Sequence, residues 1–201
     1  CLAYIGSGQI SVVLDIADLL KLPKYTYKMQ IKALSLKDIL KEDSWPFEIN
    51  GLLAGSFSGT GESFDSKIML DHLKGSGEFA LSDAKLEKLN LLNMLVDKLS
   101  FIPSLGENIR SSLSPKLKEK LDVNTVVLDK VQSKVSLLNK VLYIDDADVE
   151  SPFFSILSKG NIDSDLVTNI TINAYIESDL STELIHSIKV LGGLLDESNR
   201  L

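Results

Sequence analysis

The feature that most constrains this chain is apolar residues recurring at every second position. Ile10, Val12, Leu14 and Ile16 interleave with Gln9, Ser11 and Asp15, and Tyr27, Met29, Ile31 and Ala33 interleave with Lys28, Gln30 and Lys32. Successive side chains of a strand point to opposite faces, so this spacing predicts strands with one apolar and one wet face. The pattern returns at Phe47, Ile49, Leu53 and Phe57, with Gly51 and Gly55 on the same face, and at Phe79 and Leu81. It returns again at Val131, Ser133, Val135 and Leu137, and most cleanly where Ile170, Ile172, Ala174 and Ile176 alternate with Asn169, Thr171, Asn173 and Tyr175. Sheets with one solvated face are usually antiparallel. The expected fold is therefore α+β and mostly β: a curved, largely antiparallel sheet, with short helices inserted between strands and packed on one face.

Helical spacing is confined to inserts. Leu89, Leu92, Leu95, Val96 and Leu99 form an i, i+3, i+4 stripe that predicts a helix from about Leu89 to Phe101, stopped by Pro103. Ser114 before Pro115 reads as an N-cap with proline in the first turn, opening a short helix to about Leu121. A last helix is expected from Ser181, and single helical turns at Ile16 to Leu20 and Leu34 to Leu40. No long Gly, Ser or Pro linker divides the chain, so residues 1–201 read as one domain, a fragment of a longer protein.

Composition narrows the function. At 44% hydrophobic and 24% charged residues, the chain has enough apolar surface to fold. A net charge of -7, with Arg110 and Arg200 as the only arginines, argues against a nucleic-acid partner. The one cysteine, Cys1, excludes an internal disulfide framework. Cys1 is either a cut boundary or the acylated first residue of a lipoprotein, although Leu2 to Ile5 lack the usual polar tether. No apolar run reaches the roughly 18 residues of a membrane-spanning helix.

The motifs that suggest chemistry lack its context. Gly75-Ser76-Gly77-Glu78-Phe79-Ala80 matches a dinucleotide fingerprint on paper, but a strand follows the glycines where a helix should open. Gly55 to Gly61 lacks the Gly-Lys-Ser/Thr ending of a phosphate loop. Asp145, Asp146, Asp148 and Glu150 could gather a hard cation, yet without the glycine and distal glutamate of a calcium loop they read as a solvated turn between strands. His72 and His186 stand far apart, and no Gly-x-Ser-x-Gly elbow exists. No catalytic residue, metal site or cofactor is expected. A faint echo links Gly6-Ser7-Gly8-Gln9-Ile10 to Gly75-Ser76-Gly77-Glu78-Phe79, read as glycines easing the start of a strand or a bulge.

The stretch from Phe47 through Gly61, followed by Leu73 through Leu86, resembles the C-terminal region of AsmA-like proteins. In that family a glycine-spaced strand leads to a short helix, then to a second glycine-spaced strand ending in a turn. Here Ala84 stands where the family usually has glycine, and the leucines from Leu89 to Leu99 follow. Asn124 to Leu137, Ile144 to Ser151 and Ser158 to Asp163 look like the family's closing strands, so the likeness spans roughly residues 25 to 195. It implies a non-enzymatic periplasmic domain, tethered to the inner membrane by a segment outside this chain. The implied role is to bind or convey phospholipid acyl chains in support of outer-membrane biogenesis. The expected partners are phospholipid, the remainder of the same chain and other envelope proteins.

On that reading the candidate groove residues are Ile49, Leu53, Phe57, Phe79, Leu81, Ile170, Ile172 and Ile176. The alternative for the same residues is an ordinary closed core under the Leu89 to Phe101 helix. The alternative function is a scaffolding module for outer-membrane protein assembly that acts through an exposed sheet edge.

Overall fold

The computed structural model describes residues 1–17, 23–40, 48–65, 68–90, 114–178 and 181–182. They form a curved, unclosed, ten-stranded antiparallel sheet. The strands are β1 (Leu2–Ile5), β2 (Gly8–Ala17), β3 (Lys24–Ser35), β4 (Glu48–Glu62), β5 (Lys74–Glu87), β6 (Thr125–Val127), β7 (Lys130–Leu138), β8 (Val141–Glu150), β9 (Phe154–Ile162) and β10 (Thr168–Ile176). Their spatial order follows the sequence from β1 to β10, except that β6 pairs alongside β7 on the same edge of β5. Among the described residues, helices α1 (Met69–His72) and α2 (Pro115–Leu121) and a 3₁₀ turn at Leu36–Asp38 punctuate the sheet. The mostly β, antiparallel fold read from the alternation is the one observed.

Local chemistry sets the register. Gly6 and Ser7 join β1 to β2 as a two-residue loop, with Ile5 paired to Gly8 and only Gly6 at positive φ. The short strand β1, unforeseen from the sequence, is held there. Between β7 and β8 the loop is Asn139-Lys140, both at positive φ, the signature of a type I′ turn. Ser151 closes the next corner: its Oγ accepts the amides of Phe153 and Phe154 at 3.2 and 3.0 Å. Bulges at Ala33 and Asp83, each in the left-handed region, insert residues into β3 and β5 and bend the sheet.

Two expectations need correction. The acidic run is no turn: Asp145, Asp146, Asp148 and Glu150 lie within β8, where a register shift at Asp145 lets the backbone bulge. Ile16 continues β2 in place of starting a helical turn. Gly6-Gly8 and Gly75-Gly77 both lie where a strand begins, as expected of glycines that ease strand entry, the first pair through a hairpin loop into β2 and the second within the opening residues of β5. The proline-started helix appears as α2, and a tight turn appears after Leu34. The predicted helix at Leu89 to Phe101 falls almost wholly outside the described residues, as does nearly all of the one from Ser181.

Burial is concentrated at one end of the sheet. Ala84, Leu121 and Val126 are fully buried, and Leu128 nearly so, with the Leu128 amide donating to the Ala84 carbonyl at 2.9 Å. We call this the core end. It also holds the turn between β8 and β9 and the start of β4. The opposite end carries the connections β4 to β5, β7 to β8 and β9 to β10.

Candidate apolar groove

Cross-strand pairing brings the alternating residues into continuous rows. One row runs from edge to edge: Ala3, Ile10, Ile31, Gly55, Phe79, Ser133, Ala147, Ser158 and Ile172, each paired with the next. A second runs Val12, Met29, Phe57, Gly77, Val135, Ile144, Gly160, Ile170. Neither row contains an ionisable side chain. The opposite face is polar, as in the row Ser11, Gln30, Ser56, Glu78, Lys134, Asp146. One face of the sheet is thus predominantly apolar and free of charge along these rows, and the other is predominantly polar.

Aromatic rings and glycines shape the apolar face. Phe79 is paired with Gly55 and Phe57 with Gly77, so each ring lies across a partner without a side chain. The approach is close: a Cβ at Gly55 would sit 2.6 Å from the Glu78 carbonyl oxygen, and one at Gly77 2.9 Å from the Phe57 Cα. Tyr27 stacks against Phe57 with ring centroids 6.0 Å apart and donates its hydroxyl to the Lys74 carbonyl at 3.1 Å. Burial, with a smaller contribution from Tyr25, pushes the Tyr27 phenol above its ordinary range. The glycines therefore flatten the face under the rings, a use the sequence left unassigned.

Toward the core end the face deepens into a cavity of about 650 Å³. Its floor is the sheet, through Ile49, Leu53, Phe79 and Leu81 on β4 and β5 and Val131, Val149 and Ile156 on β7 to β9. Leu121 of α2, Leu128 and Phe153 close one side. Among the described residues, the lining apart from Gln132, Ser133 and Tyr175 is apolar and contains no carboxylate or ammonium.

Of the residues expected to face a groove, Ile49, Leu53, Phe79, Leu81 and Ile176 line this cavity. Phe57, Ile170 and Ile172 lie outside it, on the same face, in the rows toward the other end. Ile170 and Ile172 are exposed. Leu121, Leu128 and Phe153 were not foreseen, because they come from a helix and two turns that only the tertiary fold brings to the sheet. Val149 and Ile156 lie on strands whose alternation a fuller reading could have followed.

The charged groups stand apart from the groove. Lys130 bonds Asp148 and, at 2.9 Å, Glu150. The hydrogen bond that Lys130 donates to Asp148, then the one it donates to Glu150, raises the Lys130 ammonium above the ordinary lysine range. His72 is exposed on α1, and His186 lies outside the described residues. Among the described residues, no three His, Cys, Asp or Glu side chains gather as a metal ion would require. The geometry suits burial of hydrocarbon. No family model, curated protein or solved structure matches this chain.

Proposed function

We propose that this domain binds phospholipid acyl chains along the apolar face of its sheet and acts without catalysis. The observation that carries the reading is the uncharged face that runs from edge to edge and leads into an apolar cavity of about 650 Å³. From Leu81 in the cavity to Lys74 at the far end of β5 the strand extends about 24 Å. That exceeds the roughly 15 Å of hydrocarbon in one bilayer leaflet. At about 0.8 kcal/mol per methylene, a sixteen-carbon chain leaving water recovers on the order of 12 kcal/mol, so partial shelter is enough for retention. The residue pattern shared with AsmA-like proteins supports a periplasmic setting, a tether in the inner membrane outside this chain, and a part in outer-membrane biogenesis.

The test is mass spectrometry of organic extracts from the purified chain, quantified against protein. Near-stoichiometric phospholipid is expected. Protein that carries no lipid, even after incubation with phospholipid vesicles, would remove the reading.

A second reading rests on the edge strand β10. Thr168 to Ala174 are all exposed, and the strand carries no charged residue, proline or bulge, the devices that blunt sheet edges. Such an edge suits pairing with an extended strand of another envelope protein or of the remainder of the same chain. Capture of a partner strand by lipid-free protein, abolished by Ile172→Pro, which removes an outward-facing amide and leaves the pairing with β9 intact, is the result this reading expects.

A further inference from the structure

The end of the sheet opposite the cavity carries exposed apolar residues on its connections. Phe64, Ile68 and Leu70 lie between β4 and β5, Leu138 at the turn into β8, and Leu166 and Val167 between β9 and β10. The register sets these connections side by side: Thr60 pairs with Lys74, Gly75 with Leu137, Leu137 with Leu142, and Leu142 with Ile162. Local contacts fix them in place. Phe64 stacks on Tyr25 with ring centroids 4.9 Å apart, and Lys140 pairs with Asp71 of α1 at 2.5 Å.

Leu166 is the most telling of the six. It is 80% exposed and sits at φ 62°, backbone that a leucine rarely adopts. The loop is built to hold it there: Asp163 Oδ1 accepts the amides of Asp165 and Val167, each at 2.9 Å, and the Leu166 amide donates to the Asp163 carbonyl at 3.1 Å. A glycine would meet that backbone requirement without strain. A large apolar side chain kept outward at such a position points to something apolar that receives it.

We propose that this end of the sheet is a membrane-docking rim, with Leu166 and Val167 as its tip, that seats on the zwitterionic surface of a lipid bilayer. Charge selects the surface: Asp163 and Asp165 flank the tip and the chain carries a net charge of -7, so an anionic surface repels it. Continuity selects a bilayer over a second protein. The row directly behind the rim is Leu137, Leu142 and Ile162, on the same face as Ile144 and Ile170. Hydrocarbon at the rim is therefore contiguous with the groove. The inference goes beyond acyl-chain binding and can fail separately from it.

Flotation with phosphatidylcholine vesicles tests it. The double variant Leu166→Asp, Val167→Asp should float at least about tenfold less than the parent, since each large apolar side chain contributes about that factor on burial. Val127→Asp, at the core end, should float like the parent. In the parent, adding phosphatidylglycerol should weaken flotation. Where the double variant is poorly folded by circular dichroism, Leu166→Trp replaces it: its added fluorescence should be quenched by phosphatidylcholine brominated in the acyl chains. Equal flotation of parent and double variant, or an unquenched indole, overturns the proposal. So does a parent that forms dimers broken by the double variant and leaves vesicles unbound, which makes the rim a contact between copies. Vesicle docking by protein that extracts no lipid keeps the rim and removes the groove.

Discussion

Ile172 separates an open apolar face from a closed core. It lies mid-strand in β10, yet 63% of its surface is exposed, so Ile172→Asp removes only the protection of the remaining third or so. Full burial of an isoleucine is worth about 1.5–3 kcal/mol, which leaves roughly 0.5–1 kcal/mol at stake here. Aspartate's poor fit to a strand adds up to about 1 kcal/mol, for a total near 1–2 kcal/mol. Leu121 is the contrast, with 0% exposure at the core end. Its truncation to alanine loses transfer energy and opens a void, a cost of about 2–5 kcal/mol. With a urea m-value near 2 kcal/mol per molar, Ile172→Asp should lower the unfolding midpoint by less than about 1 M and Leu121→Ala by more. The folded Ile172→Asp protein should also lose bound lipid, because an unpaired carboxylate beside hydrocarbon costs several kcal/mol. Urea titrations followed by circular dichroism, with lipid quantified in parallel, supply both readings. An Ile172→Asp midpoint as low as that of Leu121→Ala, or loss of the cooperative transition, would refute the open face.

Three further outcomes follow from particular contacts. Gly55→Val should destabilise by about 1–3 kcal/mol in the same titration, since its side chain would collide with the Phe79 ring and the Glu78 carbonyl. Leu166→Gly should stabilise by about 1 kcal/mol through relief of the left-handed backbone, seen as a raised melting temperature, while lowering vesicle flotation. Stability should fall with alkaline pH. The folded state holds the Tyr27 proton more tightly than the unfolded state, which ionises near 10, so this contribution is complete below pH 10 and is lost as pH rises through the raised value. Tyr27→Phe should flatten the midpoint profile from about pH 10 upward and leave it unchanged below.

Alternation made the strands legible because each carries one apolar and one polar face, and a hydropathy pattern of period two has few other causes. The residues on both sides of the bulges at Ala33 and Asp83 follow that period, but the bulges themselves break it with no Gly or Pro to mark them. The acidic run misled for a related reason. A cluster of aspartates has the composition of a turn, yet Asp145 and Asp146 project from the wet side of a bulged strand, while the true turn is the unremarkable pair Asn139-Lys140. Ile49, Leu53, Phe79, Leu81 and Ile176 were found because cavity lining and strand periodicity coincide there. Leu121, Leu128 and the rim at Leu166 depend on which loops the sheet order brings together, and no local pattern encodes that order.

Photo-crosslinking from neighbouring positions on opposite faces of β5 tests the central claim most directly. A photoactivatable phenylalanine analogue at Phe79 sits in the apolar row and the cavity, whereas the same group at Glu78 points to the polar face. With phospholipid labelled in its acyl chains, irradiation should label protein carrying the group at Phe79 and leave protein carrying it at Glu78 unlabelled. Equal labelling at both positions, or none at Phe79 in a folded protein, would contradict the account.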